Sequence, residues 1–290
     1  MQKDIPHFLD WDRFADRDWE RVFSEFAEHG HHEFALYDRW CLLLEFDPKF
    51  PARLKKLHNC GSGRLVGSHA PFSKQYDLLA FDEEEIAFAR RLHIRLIERL
   101  AGEFGIRTYT MHPLNDFVYH GTIEDAKRHL ERTLTPILEV AEKNRVVIAI
   151  ENGLQYIDRP DVLSELVRHF SSPNLGCCCD TGHLNIFARR TGKDILECLD
   201  MMYNEVVVAH IHDNDGLSDR HWVAGLGNID WKRFMPKLAR APRMKSMEDE
   251  GIYSEIPIPE ICERTSKLLE YAAAGQLDGR EKNSGQDDNA

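Results

Sequence analysis

The run VVIAIENGLQYIDRPDVLSELVRHFSSPNLGCCCDTGH, residues 146–183, decides the fold. Two apolar strands, VVIAIEN (146–152) and NLGCCCDTGH (174–183), flank a longer, charged stretch, and each strand ends on a carboxylate, Glu151 or Asp180. Strands apolar on both faces suit a parallel sheet covered on both sides, and a parallel pair needs a crossover of this length. Outward from this unit the same alternation repeats. GHHEFALY (30–37), RLVGSHA (64–70) and IRTYTMHP (106–113) precede it, and VVVAHIHDN (206–214) and GIYSEIP (251–257) follow it. IPHFLD (5–10) is a short, proline-bearing candidate for the first strand. DEEEIAFARRLHIRLIERLAGEFG (82–105) and TIEDAKRHLERTLTPILEVAEKNR (122–145) carry apolar residues three and four apart behind acidic starts, which predicts outer amphipathic helices. Pro136 kinks the second of them or marks its start.

A covered parallel sheet leaves two architectures, a doubly wound sheet or a closed (β/α)8 barrel. Spacing favours the barrel: the polar strand ends His69, His112, Glu151, Asp180, His210 and Glu255 lie about 37 residues apart on average, so eight units need about 298 residues against the 290 present. Residues 1–274 are expected to form this one domain. The stretch from Gly275 to Ala290, polar and without periodicity, is expected to be a mobile tail.

Composition narrows the partners. With 37 basic against 49 acidic residues and a net charge of −12, the chain has no general attraction for nucleic acid. No run of about 18 apolar residues and no apolar signal core occurs, so no membrane is expected and the expected location is cytoplasmic. The seven cysteines are odd in number and three are consecutive (Cys177 to Cys179), which reads as free thiols packed as small hydrophobes.

In a (β/α)8 barrel the C-terminal strand ends converge on one mouth. The residues expected there are His69, His112, Glu151, Asp180, His183, His210, Asp219, His221 and Glu255. Glu151, Asp180 and Glu255 end otherwise apolar strands, where an unpaired charge is costly. Imidazoles mixed with carboxylates suit a divalent metal, zinc or manganese above all. In DTGH, Asp180 and His183 stand three apart across a Thr-Gly turn and so face one cavity. In DRHWVAGLGNIDW (219–231), Asp219 and His221 stand two apart, on one side of an extended segment, and Gly225 and Gly227 read as turn residues.

These motifs, SHAPF (68–72), MHP (111–113), IEN (150–152), DTGH (180–183), HIHDN (210–214), DRHxxxGxG (219–227) and the lone Glu255, together resemble the AP-endonuclease/xylose-isomerase-like TIM-barrel superfamily from Ser68 to Glu255. The resemblance implies a metal-binding mouth holding one to three ions. Its abasic-site endonucleases imply three zinc ions on all nine residues above, with Phe72 against DNA. Its isomerases and epimerases imply one metal on Glu151, Asp180, His210 and Glu255. The chain departs from the endonucleases where IENGLQYID lacks a Gly-rich continuation, where MHPL lacks a following glycine and where HIHDN replaces an HLND-type ending.

The expected activity is therefore a metal-dependent sugar or sugar-phosphate isomerase or epimerase working through an enediolate, with an abasic-site type phosphodiesterase as the alternative. Glu151 and Glu255 would move the proton on the two faces of one carbon, and His183 and His210 would orient substrate oxygens or complete the metal shell. Phe72, Trp222 and Asp213 are expected to line the substrate. The partner expected is a small carbohydrate, and assembly into a homo-oligomer is left open.

Overall fold

The computed structural model describes residues 3–9, 18–59, 61–114, 118–252 and 256–283. Eight strands, β1 (His7–Leu9), β2 (Glu33–Leu36), β3 (Arg64–His69), β4 (Thr108–Met111), β5 (Val147–Glu151), β6 (Leu175–Asp180), β7 (Val206–Ile211) and β8 (Ser246–Asp249), close in sequence order into one barrel. Every neighbouring pair is parallel. Around it run α1 (Trp19–Glu28), α2 (Asp38–Phe46), α3 (Phe50–His58), α4 (Glu83–Phe104), α5 (Ile123–Asn144), α6 (Pro160–Phe170), α7 (Thr181–Thr191), α8 (Ile195–Asp200), α9 (Trp231–Leu238) and α10 (Ile258–Asn283). Among the described residues no helix is long and apolar enough to cross a membrane.

Local chemistry explains the helix limits. Asp82 caps α4 by accepting from the backbone N–H groups of Glu84 and Glu85, and Gly105 ends it in the left-handed region at φ 71°. Thr122 and Asp125 form a reciprocal capping box at the start of α5. Pro136 sits inside α5 and does not start it. Apolar stripes of both helices, including Leu92, Leu96, Leu100, Leu130, Leu134 and Ile137, are buried. The cysteines of β6 are buried free thiols, each pushed up by burial.

Two expectations move. The eighth strand is Ser246–Asp249, not 251–257, and of the latter range the described residues lie outside any strand. The reason is that β8 reads SMED: its residues Ser246 and Glu248 are polar yet buried, so the segment lacks the apolar signature of its neighbours. The last helix runs past Gly275 to Asn283.

The seam between β1 and β8 is the thinnest part of the barrel. Its register consists of the single pair His7 and Asp249, and β1 is three residues long.

Candidate metal centre

The strand ends deliver their polar side chains to one mouth. His69 ends β3 and donates from Nδ1 to the carbonyl of Ala70 at 2.7 Å, which turns Nε2 toward Glu151 Oε2 at 3.2 Å. His112, just past β4, stands 3.7 Å from the same oxygen. His210 Nδ1 lies 3.0 Å from Glu151 Oε2 and 3.2 Å from Glu250 Oε2. Neither ring nitrogen of His210 is aligned for a hydrogen bond despite that proximity, and Glu250 Oε2 accepts none.

Asp180 ends β6 and caps α7, accepting from the His183 backbone N–H at 2.6 Å. His183 therefore joins the mouth through the first turn of a helix, where a Thr-Gly turn was expected. Its Nδ1 donates to the carbonyl of Asn152 at 2.9 Å, leaving Nε2 3.1 Å from Asp219 Oδ2. Asn152, next to Glu151, also accepts from the Asp180 backbone N–H at 2.8 Å, so the IEN segment sets the height of both carboxylates. His221 Nε2 meets the same Asp219 oxygen at 3.1 Å. The 219–221 segment is not simply extended, because His221 holds φ 46°, a left-handed conformation that costs a non-glycine residue about 1 kcal/mol.

Sequence reasoning missed two members of this cluster. His212 places Nε2 2.8 and 3.0 Å from the two oxygens of Asp180, and its ring stacks on His221 with centroids 4.0 Å apart. Glu250 is the carboxylate that the end of β8 supplies; its ligand oxygen lies within 4.8 Å of ligand atoms of His212 and His221. Glu255, expected in that place, lies outside the described residues. The signal for His212 was present in HIH: alternate residues of a strand share a side, so two histidines flanking one apolar residue enter the barrel together.

Close packing holds His212 and the floor of the mouth. A methyl group at Gly182 would collide with the His212 ring, and one at Gly67 with the Glu248 carboxyl. Glu248 lies below, accepting from the Thr108 hydroxyl at 3.1 Å, and burial raises its carboxyl.

Three expected substrate contacts divide. Phe72 lies against the site, with ring centroids 5.2 Å from His69 and 5.3 Å from His112. Trp222 is 37% exposed at the rim. Asp213 does not face substrate: it is fully buried and accepts from Gly225 N, Ile229 N and Trp231 Nε1. It organises the loop after β7, and Gly225 and Gly227 are turn residues of that loop.

Electrostatics binds the cluster. Burial opposes charge throughout, yet His112, His210 and His69 hold the Glu151 carboxyl well below the usual range. Against burial, His210 and His221 hold Glu250 down to about 2. Asp180, Asp219 and Glu151 outweigh burial to raise His183 well above an ordinary imidazole, and Asp219 and Glu250 lift His221 to about 9. Buried acceptors and ring nitrogens without aligned hydrogen bonds, in a mixed imidazole and carboxylate set, fit a divalent cation. Glu151, His210 and Glu250, with Asp180 and its neighbour His212 beside them, would hold one such ion; His69 with His112, and His183 with Asp219 and His221, flank it on either side.

Similarity to known proteins agrees with this architecture. The uncharacterized protein MJ1311 of Methanocaldococcus jannaschii is 26% identical over 270 residues, 88% of each chain. The structure of 3-keto-D-glucoside 4-epimerase YcjR from E. coli superposes with a TM-score of 0.73 at 15% identity, covering 93% of this chain and 100% of that one. The IolI protein with a bound zinc atom gives 0.71 at 16% identity over 93% and 99%. Residues 23–250 match the xylose isomerase-like TIM barrel family, and the chain belongs to that family.

Proposed function

We propose that the protein is a divalent-metal-dependent isomerase or epimerase of a sugar or sugar phosphate, acting by proton transfer through an enediolate. The observation that carries this reading is the convergence of Glu151, Asp180, His210, His212 and Glu250 at the ends of β5 to β8. The epimerase and the zinc-bearing protein among the similar structures agree with it. A bound divalent cation would supply Lewis-acid polarisation of the substrate carbonyl, which acidifies the adjacent hydroxyl-bearing carbon. Glu151 and Glu250, whose carboxylates both reach His210 Nδ1, would share the proton transfer, one to take the proton and the other to return it. Glu250 takes the place first assigned to Glu255. His183, fixed by Asn152, orients a substrate oxygen, and Phe72 excludes water from one wall. Exchange of solvent deuterium into a ketose by zinc- or manganese-loaded protein is the expected result; no exchange across a panel of ketoses and their phosphates overturns the reading.

The flanking groups support a second reading. His69 with His112, and Asp219 with His183 and His221, offer places for further ions, as a multinuclear phosphodiesterase acting at abasic sites would use. The double substitution Asp219→Ala with His221→Ala separates the two: isomerase chemistry should survive within about tenfold, whereas multinuclear hydrolysis should fall by about 10³-fold or more.

A further inference from the structure

A second cluster of ligand-type side chains lies outside the barrel, behind the seam of β1 and β8. His7, in β1, directs Nε2 to within 3.0 Å of His31 Nδ1, while its Nδ1 lies 3.0 Å from Asp249 Oδ2. His31 Nε2 is paired with the Ser266 hydroxyl at 3.1 Å. Cys262, one turn before Ser266 on α10, brings its thiol within 4.8 Å of a ring nitrogen of each histidine. Asp4 Oδ1 lies 3.0 Å from His31 Nδ1 but accepts no hydrogen bond, although the residue is only 8% exposed. Phe26 and Phe34 wall the His7 ring, with centroids at 4.6 and 6.4 Å.

Two carboxylates and two imidazoles in so dry a volume need a compensating positive charge. The arrangement has the two shells of a structural metal site. Two nitrogens and a sulfur face one another with a carboxylate oxygen beside His31, and the far nitrogen of each histidine is oriented by a carboxylate or a hydroxyl. We propose that Asp4, His7, His31 and Cys262 bind a zinc-type cation that clamps the barrel seam, separate from the mouth. The ion would tie the chain ahead of β1, the entrance to β2 and α10 to one point, where the sheet itself contributes a single register pair. Binding deprotonates the Cys262 thiol, whose proton passes to solvent, and the thiolate forms the sulfur–metal bond. This inference does not depend on the proposed activity.

The test is cobalt(II) substitution of the full-length protein. A thiolate-to-cobalt charge-transfer band in the near ultraviolet is expected in the wild type. It should persist in Cys178→Ser, which removes the thiol beside His210, and vanish in Cys262→Ser together with about one equivalent of bound metal. It should also persist in Asp180→Asn, whose turnover is lost, which separates this site from the mouth. A wild-type spectrum without a thiolate band, or a band that Cys262→Ser retains, overturns the proposal. If Cys262→Ser does not fold, His31→Gln serves instead: loss of one equivalent of metal supports the clamp and unchanged metal content overturns it.

Discussion

At the scale of single residues, the mouth shows what was legible in the sequence and what was not. His69, His112, Glu151, Asp180, His183, His210, Asp219 and His221 all arrive at one place, because each is the first polar residue after an apolar strand or follows one closely. His212 is not legible because His210 already ends the apolar run of its strand. Nor is Glu250, because its strand is polar inside. Glu151 touches His69, His112 and His210 through one oxygen, so Glu151→Gln should lower turnover by about 10³-fold with an unchanged circular dichroism spectrum. Gly182→Ala is a more local probe. The added methyl group displaces the His212 ring, so mouth-bound metal should fall by about one equivalent at a stability cost of about 1–3 kcal/mol, read by elemental analysis and urea unfolding.

At the scale of elements, α4 and α5 were legible to within a residue or two because their periodicity and caps agree, Asp82 and Gly105 for one and Thr122 with Asp125 for the other. β8 was not, because the inside of a barrel accepts polar side chains that a two-layer sheet would reject, and SMED follows no apolar pattern. The packing of α4 on the barrel also contains a titration. His93 is fully enclosed, donates from Nε2 to the Tyr76 carbonyl at 3.2 Å and accepts from the Tyr109 hydroxyl at 2.9 Å, and burial lowers it from 6.5 to about 4. The native state then binds fewer protons than the unfolded chain between these values. Its contribution is complete above pH 6.5 and is lost as pH falls toward 4, by up to about 3 kcal/mol. Urea unfolding of wild type against His93→Gln should show the stability difference shrinking as pH falls from 7.5 to 4.5; a constant difference contradicts this.

At the scale of the whole molecule, the chain combines an acidic surface balance with a mouth rich in imidazole. The spacing of strand ends carried the architecture because a barrel of eight repeats allows little latitude in length. The cations proposed for mouth and seam bind only the folded chain, so chelation acts on global stability. Prolonged dialysis against a chelator should lower the melting temperature by about 5–10 °C, and re-addition of zinc should restore it. An unchanged melting temperature argues against tight metal binding at either place.

The brevity of β1 has a consequence for biogenesis. His7 meets its strand neighbour Asp249 across a sequence separation of 242 residues, so the ring cannot be completed until the chain through Asp249 has left the ribosome. Until then the nascent half-barrel displays two open sheet edges, β1 on one side and the latest strand on the other. Slow translation and crowding should therefore penalise this protein through β1 more than through any later strand.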